Sequence, residues 1–173
     1  MSAKTIRDID VIRTFVLQGT LNFTRYFFKI RQKRKFVVGK HHREIAAALD
    51  KVLCGEITRL IINIAPRYGK TELAVKNFIA EGLAINPKAK FIHLSYSDDL
   101  ARDNSRGVQD IINEPEYRRI FPATIPTSTN TKKWYTTEGG GLYAVSSAGQ
   151  VTGFGAGLVD EEENDELAKE VEE

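Results

Sequence analysis

The chain has 173 residues, a formal net charge of +2 and a single cysteine. That length suffices for a domain with its own core, one cysteine excludes an intrachain disulfide, and the sequence has neither an apolar run of membrane-spanning length nor, in MSAKTIRDID, the apolar centre of a signal peptide. The expectation is a cytosolic protein that uses no membrane. The small net charge conceals an asymmetry. Residues 11–43 contain no Asp or Glu but carry Arg13, Arg25, Lys29, Arg31, Lys33, Arg34, Lys35, Lys40 and Arg43, whereas Lys169 is the only base between Asp160 and Glu173. A basic front segment suits a polyanion such as DNA or RNA, or else is a solvated helix face.

In chain order, residues 4–18 place Ile6, Ile9, Ile12 and Phe15-Val16 at helical spacing, and Gly19 ends the run. A second helix is expected from Asn22 to about Lys33, with Phe23, Tyr26, Phe27 and Ile30 on one face. Such a stripe packs a core more often than it stacks bases, although Arg25, Lys29 and Arg31 interleave it. Phe36-Val37-Val38 reads as a short extended piece. A third helix opens at His41-His42 and stops at Gly55, with Cys54 expected as a small buried side chain. The His and Cys residues have no zinc-ligand spacing.

Leu60–Ile64 is an apolar run that reads as a buried strand. It ends at a turn holding Pro66 and Gly69, and Lys70-Thr71 opens the helical run TELAVKNFIAEGLAI. Strand, tight turn, Gly-Lys-Thr and helix make up the context of a phosphate-binding loop. Unpaired backbone N–H groups and the helix dipole favour a polyphosphate there. Lys70 would meet the β- and γ-phosphates and the Thr71 hydroxyl would meet Mg2+. The first glycine of G-x-x-x-x-G-K-[ST] is replaced by Ile64, and Arg67 is added inside the loop. The bland alternative is an ordinary strand-to-helix turn with an exposed lysine.

After a turn at Asn86–Lys88, Lys90–Tyr96 reads as a second buried strand. Ser97-Asp98 then caps a helix running to about Asn113. Strand, helix, strand, helix is the rhythm of a parallel α/β sheet. Pro115 and Phe121-Pro122 interrupt it, and residues 122–133 form a polar, Pro/Thr-rich loop. Trp134–Thr137 and Gly141–Ser146 are expected to pair as a hairpin around Glu138-Gly139-Gly140-Gly141. Residues 147–157 are rich in small side chains and suit either a substrate-facing loop or a flexible link. Gly157-Leu158-Val159-Asp160-Glu161 resembles a strand end followed by an acidic pair, with only two apolar residues before the acids.

Three stretches resemble one family in order and spacing. They are VVGKHHREIAAALDKVLCGEITRLIINIAPRYGKTELA, HLSYSDDLARDNSRGVQDII and GGGLYAVSSAGQVTGFGAG. Together they cover roughly residues 36 to 160 and resemble the N-terminal ATPase part of a phage terminase large subunit, the motor that drives DNA into a procapsid. That family commonly lacks the first glycine of the loop and carries an arginine within it.

The resemblance implies an α/β fold: a P-loop NTPase with a mostly parallel central sheet, preceded by an N-terminal helical segment. Residues 1–35 would be the basic helical segment, 36–160 the ATPase core and 161–173 an acidic tail. It implies ATP and Mg2+ as cofactors, held by Pro66, Arg67, Tyr68, Gly69, Lys70 and Thr71, with His42 near the adenine. Arg67 would stabilise charge at the γ-phosphate. Asp160 would join Thr71 at the metal, and Glu161 would orient the attacking water. The implied partners are double-stranded viral DNA, a portal protein, a terminase small subunit and further copies of the chain in a ring. The family's remaining ATPase sheet and its nuclease domain do not follow in this sequence. That leaves open an excised domain, a truncated remnant or a reading frame altered near Gly157. The alternative functions are a nucleotide- or partner-binding module that does not hydrolyse ATP and a fragment of another DNA-dependent P-loop motor such as a helicase.

Overall fold

The computed structural model describes residues 8–147. Three helices come first: α1 (Asp8–Val16), α2 (Thr20–Gln32) and α3 (Lys40–Leu53). Gly19, at φ 154°, separates α1 from α2. The Thr20 N–H donates to Asp50 Oδ1 at 2.7 Å, so the start of α2 is tied to α3. A helical stretch over 70–85 follows. It contains a π-helical segment, Glu72–Asn77, and then α4 (Phe78–Ile85). Beyond it come β1 (Lys90–Ser95), α5 (Asp98–Asn113), α6 (Pro115–Ile120), β2 (Lys133–Tyr135) and β3 (Gly141–Ser146).

The described sheet has three strands in the order β1-β3-β2. β1 runs parallel to β3, with Phe91 opposite Leu142 and His93 opposite Ala144. β2 runs antiparallel to β3, with Trp134 opposite Leu142. The expected hairpin is therefore present, and Gly139 at φ 90° makes the reversal that only glycine adopts at little cost. The chain is a mixed helix-and-sheet domain. Among the described residues the sheet is mixed, with one parallel and one antiparallel pairing.

Among the described residues the strand expected at Leu60–Ile64 is not formed. Among the described residues the segment joins no ladder, and Ile61 is 93% exposed. Leu60, Ile62 and Ile64 are half-buried while Ile61 and Asn63 are exposed, and the segment shares a cleft with His41, Ile45 and Ala48 of α3. The alternation is that of an extended chain, but apolar side chains specify only which face seeks cover. A strand also needs a neighbour for its backbone N–H and C=O groups. Cys54, expected inside, is exposed, because the helix ends there and its thiol donates only to the Lys51 carbonyl at 3.4 Å. Pro115 does not merely break the pattern: it occupies the first turn of α6, where its missing N–H costs nothing.

The core lies where α2, the 70–85 helix, α5, α6 and the sheet meet. Phe23 and Phe27 of α2 are fully buried, with ring centroids 4.6 Å apart. They pack on Tyr117 and Phe121, Phe27 lying 5.3 Å from Tyr117. The aromatic stripe of α2 thus packs a core. Buried polar groups are answered: Tyr117 donates to the Ala80 carbonyl at 2.8 Å, and Trp134 Nε1–H donates to Ser105 Oγ at 2.9 Å. At the other end of the sheet, Ser97 caps α5 by accepting from Leu100 N–H. Asp98 ties that cap to the end of β3 by accepting from Ser146 N–H at 2.9 Å.

Glu81 departs from this economy. It is 1% exposed, and among the described residues its Oε2 has no hydrogen-bond partner, nor does the hydroxyl of Thr24. Burial, reinforced by the nearby Asp50 carboxylate, pushes its carboxyl up to about 8, so Glu81 is protonated at neutral pH. An acid whose folded value is raised binds more protons folded than unfolded. Its stabilising contribution is complete below the ordinary carboxylate range and is lost as pH rises toward 8. Unfolding by urea should therefore show stability declining between about pH 5 and pH 8, by up to about 1.4 kcal/mol per pH unit. Glu81→Gln should flatten that slope. An unchanged slope in the variant would assign the decline to other groups.

Candidate functional site

The loop between residue 64 and the 70–85 helix is built from two left-handed residues, Arg67 at φ 68° and Gly69 at φ 73°. Gly69 takes this conformation freely. Arg67 holds it at a cost of about 1–2 kcal/mol, a form of strain that gathers at functional sites. The two bends around Tyr68 turn the chain into the helix, whose first closing bond runs from Leu73 N–H to the Gly69 carbonyl at 3.0 Å. The N–H groups of Lys70, Thr71 and Glu72 precede that bond and have no intrahelical acceptor. Lys70 and Thr71 are exposed, and among the described residues neither Arg67 nor Lys70 has a carboxylate partner.

The loop is held from the N-terminal side by His42, one turn into α3. His42 Nδ1 accepts the Gly39 N–H at 2.9 Å, so the proton lies on Nε2, which donates to the Tyr68 carbonyl at 3.0 Å. Burial, with the adjacent His41, keeps His42 below the ordinary histidine range and hence neutral at pH 7, as both bonds require. The ring lies 4.9 Å from Phe36 and 3.9 Å from His41, and His41 in turn meets Tyr68 edge-on at 5.5 Å. There is no room for a side chain at position 69: a Cβ would come within 2.9 Å of His42 Nε2.

A second tie comes from α2. Arg31 Nη1 meets Glu72 Oε1 at 3.1 Å, with both side chains largely buried. Asn77 Nδ2 also donates to that oxygen at 3.0 Å, and to the Glu72 carbonyl at 2.7 Å. The acid next to Thr71 is therefore neutralised, so it does not oppose an incoming anion. π-Helical segments such as Glu72–Asn77 occur often at functional sites.

These parts enclose a cleft of about 510 Å3 whose lining includes Phe28, Phe36, His42, Arg67, Tyr68 and Gly69. Its volume falls within the range of small-molecule sites. Its walls are aromatic and imidazole rings, and its mouth carries Arg67. Orphan N–H groups, two unpaired cations and an exposed hydroxyl at Thr71 fit a polyphosphate, and the ring-lined cleft fits a base.

Of the expected site residues, His42, Arg67, Tyr68 and Gly69 are brought together on this cleft. Pro66, Lys70 and Thr71 stand exposed on the same loop. Asp160 and Glu161 lie outside the described residues, as does all but the first residue of the 147–157 stretch. Among the described residues, no group of three or more His, Cys, Asp or Glu side chains is arranged to hold a metal ion. Sequence reasoning did not find Arg31, Glu72 and Asn77, because a pair separated by 41 positions leaves no local pattern. No protein-family model, curated protein or solved structure matches the chain. No helix of the described residues is long and apolar enough to cross a membrane.

Two outcomes follow from this geometry. Gly69→Ala adds both left-handed strain and a clash with His42, and should cost about 1–2 kcal/mol of stability in a denaturant titration. A neutral result would mean that the loop has no fixed conformation. Arg31→Met leaves the Glu72 carboxylate largely buried without its cation and should cost about 1–3 kcal/mol. Adding Glu72→Gln should recover much of that loss. Additive losses in the double variant would argue against a coupled pair.

Proposed function

We propose that the chain is the ATP-binding part of a DNA-packaging motor of the terminase large-subunit kind, coupling ATP hydrolysis to movement of double-stranded DNA into a procapsid. The observation that supports this most is the loop itself: Arg67 and Gly69 in left-handed conformations, N–H groups without an intrahelical acceptor at a helix start, Arg67 on a ring-lined cleft and Lys70 exposed on the same loop, both cations without a carboxylate partner among the described residues. On this reading Lys70 and the N–H groups of the first helical turn bind the β- and γ-phosphates. The cleft beside His42 and Tyr68 takes the adenine, and Arg67 stabilises charge on the γ-phosphate. Thr71 and Asp160 would hold Mg2+, which supplies charge neutralisation at the phosphate oxygens when bound. Glu161 would orient water. The partners would be duplex viral DNA, the portal, the small subunit and further copies of the chain in a ring, in the host cytoplasm.

A second reading, a nucleotide-binding remnant without turnover, shares the loop and differs in the acids. The neutralised Glu72 and the clamped Tyr68 serve binding alone equally well. Calorimetry with ATP and Mg2+ should show binding by the wild-type chain and a loss of affinity of tenfold or more in Lys70→Ala, in keeping with about 1.5–3 kcal/mol for a hydrogen bond to a charged group. Equal affinity in the variant would sink the phosphate assignment. Mg2+-dependent ATP turnover would favour the motor over the remnant, and Glu161→Gln should then abolish turnover while leaving binding intact.

A further inference from the structure

A second cleft, of about 400 Å3, lies between α1, α2 and the connection that leads to α3. Arg25 and Lys29, one helical turn apart on the exposed side of α2, line it together with Lys35 from the connection; Phe15, Tyr26 and Phe36 supply the rest of its wall. Among the described residues none of the three cations has an ion pair or a side-chain hydrogen bond. The pairs of this region go instead to Arg31 and Lys40. The acid nearest the cleft by contact is Glu116, which accepts from the Tyr26 hydroxyl at 2.8 Å. Its charge is already matched by Arg119, bonded to it through Nε at 2.9 Å and Nη2 at 2.6 Å. Three like charges gathered in a recess, with no acid anywhere from 11 to 43, repel one another in the free protein. The cluster contributes nothing to the fold, whose core uses the opposite face of α2 through Phe23 and Phe27.

We propose that this cleft binds the phosphodiester backbone of a nucleic acid. Arg25 and Lys29 stand one helical turn apart on α2 and Lys35 on the separate connection that follows, a run of cations that suits successive phosphates of a chain. Arg25 supplies a planar donor fork, and Lys29 and Lys35 supply mobile point charges. The cleft is distinct from the phosphate loop, although Lys35 and Phe36 border both. The proposal does not depend on nucleotide binding at that loop.

The test is fluorescence anisotropy of the full chain with a labelled 20-base-pair duplex and, separately, a labelled single strand of equal length, each across a salt series. The wild type should bind, with log affinity falling linearly against log salt. The double variant R25Q/K29Q should bind about tenfold or more weakly at low salt, and its slope on duplex should be shallower by about 0.9 for each phosphate that it no longer neutralises. Lys35→Gln should act in the same direction, Lys132→Gln, at an exposed position before β2, should not, and the charge-preserving pair R25K/K29R should keep the wild-type slope. Which probe binds more tightly identifies the strandedness. A thermal melt of R25Q/K29Q separates weakened binding from an unfolded chain. Binding of a fluorescent ATP analogue by the same variant keeps this outcome apart from that of the loop. Wild-type affinity and slope in R25Q/K29Q would overturn the proposal. So would a wild-type chain that binds neither probe but binds phosphatidylserine vesicles through the same residues.

Discussion

The neutral imidazole of His42 spans two backbones, taking the Gly39 N–H at one nitrogen and giving its own proton to the Tyr68 carbonyl at the other. Each bond enforces the other, because accepting at Nδ1 requires the proton to sit on Nε2. Gly39 caps the start of α3 and Tyr68 lies between the two left-handed residues of the loop, so this ring fixes the loop against the N-terminal helices. The absence of a side chain at Gly69 is what lets the ring come so close. The shape of the cleft, the exposure of Lys70 and the aim of the free N–H groups all depend on this contact.

Helix α2 divides its labour by face. Phe23 and Phe27 enter the aromatic core against Tyr117 and Phe121. Arg31 reaches the acid that follows Thr71. Arg25 and Lys29 remain outside, without an ion pair among the described residues. Burial of two phenylalanines is worth several kcal/mol and fixes the rotation of the helix about its axis. The positions of the Arg31 contact and of the basic cleft follow from that rotation. The strain at Arg67 and, among the described residues, the unanswered charge at Arg25, Lys29 and Lys35 are local costs that folding tolerates because the core supports them.

The sheet serves as a platform. β1 and β3 run parallel, and Asp98 ties their ends at the start of α5. Close packing carries the platform to the loop: Gly107 of α5 admits the aliphatic stem of Lys76 from the π segment, where a Cβ would meet Lys76 Cδ at 2.7 Å. The helix that begins at Lys70 is thus braced from α2 by charge, from α3 through the loop, and from α5 by contact.

Local patterns in the sequence determined most of the helices, the cap at Ser97, the hairpin at residues 133–146 and the identity of the loop residues. Capping, turn chemistry and period-3.6 patterning act over a few residues and are written there. The same patterns did not decide Leu60–Ile64, which joins no ladder among the described residues, because an apolar run states a preference for burial while pairing depends on what lies beside it. They misjudged Cys54 because a helix end can point a small apolar group into solvent. Only the tertiary structure decided that His42 clamps Tyr68, that Arg31 neutralises Glu72, that Glu81 is buried and protonated, and that three cations share one recess. Each of these joins residues distant in the chain, and such contacts are set by how the helices pack around Phe23 and Phe27 rather than by any spacing that the sequence displays.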